Sequence, residues 1–185
     1  MGRVYDPGMF STPAANPEPT SGTVTRRLTS RVVTASDRVS AGLAEDRSGP
    51  LLVEWLRGRG HEVELVVVPD GDPVAEAVRA GIRAGAHLVL TTGGTGVTPR
   101  DRTPEVVAPL LDVEVPGIVE AIRRVGSAAG VVGAALTRGV AGIVEGERRT
   151  VVVTLPGSPG GVRDAIAVLD PLLDHLLDQV RGGDH

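Results

Sequence analysis

The sequence predicts an α/β; three-layer α/β/α domain, with helices on both faces of a mostly parallel central sheet. Three observations lead there. Short β-branched runs alternate with amphipathic stretches along the chain. The β runs, such as "ELVVVP" and "TVVVTLP", are almost continuously apolar, as strands buried on both faces require. A length of 185 residues with 41% apolar side chains supports one well-buried core and is short for two.

Each element has a local signature. Residues 1–27, rich in Pro, Ser, Thr and Gly and without an apolar h-region, are expected to form a disordered tail with no secretory signal. "RLTSRVVTAS" is the first strand. A helix follows in "SGPLLVEWLRGRG", where Leu51, Leu52, Trp55 and Leu56 fall at helical spacing before Gly58 and Gly60, so that Trp55 reads as core packing. "HEVELVVVP" is the second strand. Asp72 as N-cap and Pro73 in the first turn open the next helix, "GDPVAEAVRAGIRAGA". "HLVLTT" is the third strand, and Thr103 and Pro104 repeat the cap-and-proline device after it. Pro109 and Pro116 divide the next stretch into a short helix, a turn and a second helix through "GIVEAIRRVG". The small-residue stretch "SAAGVVGAAL" is expected in the core, with a subunit contact as the other reading. "GVAGIVEGERRTVVVTLP" gives two strands around a turn, whose mutual pairing the pattern leaves open. Ser158 and Pro159 then cap a last helix, bent at Pro171.

Composition excludes several chemistries. There is no cysteine, hence no disulfide, thiol nucleophile, Fe–S cluster or thiolate zinc site. All 19 basic residues are Arg, so neither a Schiff base nor a Walker A lysine is available. A net charge of −4, with no Arg cluster and three aromatic residues in all, argues against a nucleic-acid surface. The apolar runs are far shorter than the roughly 20 residues of a membrane span. A cytoplasmic location is expected, with no membrane partner. His61, His87 and His175 lack metal-ligand spacing and read as structural, and His185 lies at the terminus.

In open α/β sheets ligands bind beyond the carboxyl ends of the strands. Four loops gather there: "TASDRVSAG", "VPDGD", "TTGGTGVTPRD" and "LPGSPGG". In the third, Gly93, Gly94, Thr95 and Gly96 can turn successive amides toward an anion, with the hydroxyls of Thr92 and Thr95 as further donors. The spacing matches neither the dinucleotide nor the P-loop fingerprint, and a plain tight turn is the competing reading. "PGSP" is equally a helix entry or an anion site at a helix N-terminus. Asp70 and Asp101 sit at two strand ends, where one or two carboxylates beside phosphate oxygens suit Mg²⁺. Asp101 could instead cap its turn or pair with Arg100 or Arg102, and Asp70 could be a turn residue.

Taken in order, "TASDR", "EDRSG", "TTGGTGVTPRDRTPE", "LTRGVAGI" and "TLPGSP" resemble the MoaB/MogA family of molybdenum cofactor biosynthesis proteins. The resemblance spans the ordered chain and implies a molybdopterin-binding domain over 28–182, usually trimeric. It implies molybdopterin adenylyltransferase activity, in which ATP and Mg²⁺ convert molybdopterin to adenylyl-molybdopterin and pyrophosphate. Asp101 and Asp70 match the family's catalytic and metal-holding carboxylates. Ser36, Asp37, Asp46, Ser48, Thr92, Gly93, Gly94, Thr95, Gly96, Pro156, Gly157 and Ser158 match its substrate pocket, and other proteins of cofactor assembly are expected partners. With no Lys, Arg100, Arg102 or Arg138 would supply positive charge. Gly160 stands where relatives commonly carry Lys, Arg102 where they are apolar and Thr154 where Asn is frequent. These departures keep a second reading open, a non-catalytic pterin-binding or assembly protein.

Overall fold

The computed structural model describes residues 28–183; the expected tail and His185 lie outside them. Six strands form one sheet in the order β2-β1-β3-β6-β5-β4. They are β1 (Thr29–Ala35), β2 (Glu62–Val68), β3 (Leu88–Thr92), β4 (Val113–Glu114), β5 (Ala141–Val144) and β6 (Thr150–Leu155). The first three pairings are parallel, with Val32 opposite Leu65 and Leu90, and Leu90 opposite Val153. β5 runs antiparallel to β6, and β4 antiparallel to β5, which resolves the pairing the sequence left open.

Seven helices cover the sheet: α1 (Asp37–Ser40), α2 (Gly49–Gly58), α3 (Asp72–Arg83), α4 (Thr103–Val107), α5 (Pro116–Ala128), α6 (Pro159–Leu169) and α7 (Leu173–Val180). The two-residue period of the strands divides the core. Val32, Leu88, Leu90, Val151 and Val153 face α2, α5, α6 and α7, whereas Val33, Val89 and Val152 face α3 and the α4 region. β3 and β6 are buried along their whole length, as the run "TVVVTLP" predicts, but the run "ELVVVP" lies in the edge strand β2, where no residue is buried and Leu65 and Val67 are exposed. Trp55 packs at the margin of the larger layer and donates its indole N–H to Asp170 (2.7 Å). None of the helices among the described residues is long and apolar enough to cross a membrane.

Local expectations fail in four places. The caps of α3 and α4 are Gly71 and Arg102, so Asp72 and Thr103 are first helical residues, and the Thr103 hydroxyl is buried without a partner. Pro171 separates α6 from α7 instead of bending one helix, because it follows the α6 C-cap Asp170. The stretch expected in the core is largely exposed: Val132 is 94% and Leu136 53% accessible, in a short 3₁₀ segment (Val132–Leu136) that meets α5 where Ala134 lies beside Gly126. α1 and β4 are too short to leave a periodic signal, and β4 is a two-residue strand paired to β5.

Candidate functional site

Strand order reverses between β1 and β3, and the loops following these strands line a cleft of about 450 Å³. The β2 loop contributes Asp70 and the β6 loop Gly157 and Pro159. Crossing from the β3 loop to the β6 loop takes almost no space: a Cβ on Gly157 would lie 2.9 Å from the Gly93 Cα, while Gly93 N–H donates to Leu155 O (3.2 Å). Gly93 (φ 100°) and Gly94 (φ 63°) both occupy the left-handed region, and a side chain on Gly94 would run into Thr103 and Asp70. The Gly93 amide is thereby engaged within the fold. The amides of Gly94, Thr95 and Gly96 donate to no group among the described residues.

The predicted site residues do not all reach this cleft. Ser36, Asp46, Ser48, Asp70, Thr92, Gly93, Gly94, Asp101 and Gly157 line it together. Asp37 faces an adjoining groove with Asp70, Arg100 and Arg102. Pro156 and Ser158 face the other side of their loop, toward a smaller, mainly apolar pocket of about 220 Å³ under α5. Thr95 is buried and its hydroxyl accepts from Thr137 Oγ1 (3.0 Å), and Gly96 lies against the Asp101 carboxylate. Thr92 Oγ1 donates to Pro156 O (2.8 Å), fixing one loop to another.

The carboxylates have unequal freedom. Asp46 accepts from the Thr34 hydroxyl (2.7 Å), the amides of Ser48 and Gly49 (both 3.0 Å) and the Ser48 hydroxyl (3.1 Å). Burial alone would raise its pKa, but these donors together hold it below the ordinary 3.8. Asp46 is therefore the anion at the α2 N-terminus, a capping role carried by the side chain two residues before the helix's nominal cap, Ser48. Asp37 and Asp70 exchange backbone amides, Asp37 N–H to Asp70 Oδ2 (3.2 Å) and Asp70 N–H to Asp37 Oδ1 (3.1 Å). Burial raises the Asp70 pKa, and the charges on Asp37 and Asp101 push the same way, against the Asp37 amide and Arg100. Asp101 Oδ2 accepts from Thr98 N–H (2.9 Å) and ion-pairs with no Arg among the described residues. Asp101 thus closes its own turn and also lines the cleft.

Positive charge is placed differently from the sequence expectation. Arg138 lies outside the cleft, in a shallow groove beyond Asp101, its guanidinium bound to Glu105 and to backbone carbonyls. Arg100 and Arg102 line the adjoining groove. The one cation among the cleft-lining residues is Arg47, which sequence reasoning misses because "EDRSG" draws attention to Asp46 and Ser48. Among the described residues no three Asp, Glu or His side chains converge into a closed metal cage. Of the four acids lining the cleft, Glu45, Asp46, Asp70 and Asp101, Asp46 is taken up by the α2 N-terminus, and the pair Asp70 and Asp101 suits a hard divalent ion that takes its remaining ligands from water and phosphate.

Comparison with known proteins gives this arrangement its relatives. Residues 31–175 match the family model described as a probable molybdopterin binding domain. The chain is 40% identical over 156 residues to a molybdopterin adenylyltransferase of Pyrococcus furiosus, covering 81% of this chain and 89% of that one. It is 39% identical over 180 residues to a molybdenum cofactor biosynthesis bifunctional protein of Synechococcus elongatus, covering 96% of this chain and 55% of that protein, so it spans about half of the longer relative. A molybdopterin biosynthesis Mog protein from Mycobacterium ulcerans superimposes with a TM-score of 0.78 at 44% identity, over 83% of this chain and 99% of that one.

Proposed function

The chain belongs to the molybdopterin-binding-domain family of molybdenum cofactor biosynthesis proteins, and from that premise we propose that it transfers the adenylyl group of ATP to molybdopterin. A terminal phosphate oxygen of molybdopterin attacks the α-phosphorus of ATP. The new P–O–P bond forms as the bond to the β-phosphate oxygen breaks and pyrophosphate leaves. A phosphate monoester is already largely dianionic near pH 7, since its second pKa is about 6, so the attack needs no general base. The difficulty is repulsion between two anions that must be held in line. The observation carrying the proposal is the convergence of Asp70 and Asp101 on one cleft with Gly94, whose amide has no partner among the described residues. That amide is suited to a phosphate oxygen, and Arg47 to a further phosphate charge.

Asp70 and Asp101 would hold Mg²⁺, which when bound neutralises phosphate charge. A cytoplasmic location, where ATP is plentiful, goes with this reading. So does assembly as a homotrimer, for which the exposed Val131, Val132 and Leu136 offer apolar surface to bury; light scattering measures the subunit count. The test is incubation of the purified chain with molybdopterin, ATP and Mg²⁺. Adenylyl-molybdopterin should form, and Asp101→Ala should cut its rate by about a hundredfold or more. Absence of transfer by the unaltered chain would overturn the proposal.

A second reading, binding or assembly without turnover, is favoured by one observation. Gly160 lies in the first turn of α6 with open space around it, and no cation stands in its place. That reading predicts calorimetric binding of molybdopterin with no consumption of ATP.

A further inference from the structure

The segment from Gly96 to Asp101 has neither helix nor strand to hold it, and Val97 at its outer side is 62% exposed. Within the segment two bonds close a turn, Asp101 N–H to Thr98 O (3.0 Å) and Thr98 N–H to Asp101 Oδ2 (2.9 Å). Such a turn orients the carboxylate relative to its own loop. It does not fix the loop relative to the Gly94 amide, yet the proposed chemistry needs both on the same phosphates.

One backbone bond, Thr103 N–H to Gly94 O (3.0 Å), closes the base of the loop, and one side chain braces the loop above it. Arg138 Nε donates to Gly96 O (2.6 Å) and a terminal nitrogen to Asp101 O (2.5 Å), the carbonyls at the two ends of the segment. Its backbone N–H donates to Thr95 O (2.9 Å), and its remaining terminal nitrogen pairs with Glu105 in the first turn of α4. Arg138 is itself held from behind: Val140 N–H donates to Thr154 Oγ1 (2.6 Å), tying the chain ahead of β5 to β6. The rigid sheet thus reaches the loop through a planar fork that satisfies two carbonyls and a carboxylate at once. Lys offers no such geometry.

We infer that Arg138 is the positioning residue of this site, fixing the Asp101 carboxylate relative to the Gly94 amide by bridging both ends of the loop that follows it. It does not line the cleft; its guanidinium lies in the groove on the other side of Asp101, with Glu105 setting its orientation. The inference rests on the proposed reaction for its catalytic consequence and on geometry alone for its structural one.

Hydrogen–deuterium exchange of the full-length chain separates the two. In Arg138→Ala and Arg138→Lys the amides of Thr98 and Asp101 should exchange roughly tenfold faster, with β3 and β6 amides unchanged. The rate constant kcat for adenylyl transfer should fall about a hundredfold, with KM for molybdopterin nearly unaltered, as expected when a bound geometry slips by about an ångström. Glu105→Gln should give a smaller change in the same direction. Should Arg138→Ala expose the β3 and β6 amides too, the Lys and Glu105→Gln variants carry the measurement. Normal loop protection and normal kcat in the Lys variant would overturn the inference. Faster loop exchange in a chain that never transfers adenylyl would instead defeat the proposed reaction and leave the positioning role standing.

Discussion

The two ends of the sheet treat polar groups in opposite ways. At the amino ends of the strands, polar side chains largely satisfy one another: Ser30 Oγ meets His61 Nδ1 at 2.7 Å, Thr29 meets His87 Nδ1 through its amide (3.1 Å) and hydroxyl (3.0 Å), and Thr150 Oγ1 donates to Ala86 O (2.8 Å). The exceptions there are His61 Nε2 and Arg59 Nε, buried without a partner. At the carboxyl ends, Asp37, Asp70 and Asp101 crowd like charges together, and the amides of Gly94–Gly96 have no partner among the described residues. One end is arranged for stability. The other keeps repulsion and open donors that a charged ligand would relieve, which is the pattern expected of a working site.

The largest test of this contrast is a pair of glycine substitutions. Gly94→Ala places a side chain at φ 63° against Thr103 and Asp70, and should cost about 2–4 kcal/mol in urea unfolding. Gly85→Ala, at the amino end of β3 with φ 76° and nothing nearer than Arg148 Nε at 3.9 Å, should cost only about 1–2 kcal/mol. Equal costs would mean that the carboxyl end is no more crowded than the other.

A middle-sized effect concerns Asp70. Its folded pKa lies above the ordinary 3.8, so its contribution to stability is full below that value and is lost as pH rises through the folded pKa. Asp70→Asn should therefore flatten this part of the pH profile and raise the urea midpoint at pH 7 above that of the unaltered chain, while adenylyl transfer falls. A lowered midpoint would show Asp70 to be a structural acceptor first.

The smallest effect belongs to the amino end. Burial, then Arg59 near His61 and Arg148 near His87, lowers both histidine pKa values below the ordinary 6.5. Their stabilising contribution is present above 6.5 and is lost as pH falls through the folded values. Urea midpoints measured from pH 7.5 to 5 should decline in the unaltered chain, and less so in His87→Gln. An unchanged slope would assign the acid sensitivity elsewhere.

The site was legible in part. "GGTG" and Asp101 could be read locally, since glycine supplies left-handed backbone and a carboxylate at a strand end is conspicuous in any context. Arg138 could be read only as charge. Its partners, Gly96, Asp101 and Glu105, are 42, 37 and 33 positions away, and that separation converts a supposed phosphate ligand into a clamp. Arg47 escapes notice because nothing local distinguishes a cleft-facing arginine from a solvated one. "SAAGVVGAAL" misleads for the opposite reason: small apolar residues carry little information about whether a neighbour covers them.

By itself the sequence determined the succession of the longer strands and helices, the cap at Ser158, whose hydroxyl accepts from Gly161 N–H at 3.1 Å, and the chemistry excluded by lacking Cys and Lys. These depend on side-chain period, backbone preference and residue type, all of which act within a few positions. Only the tertiary structure decided which residues of the four gathered loops reach one cleft, that Asp46 serves a helix end, and that Thr95 and Gly96 do not line the cleft. Strand order in space departs from order along the chain, and hydrogen bonds are won by whichever donor the fold brings nearest.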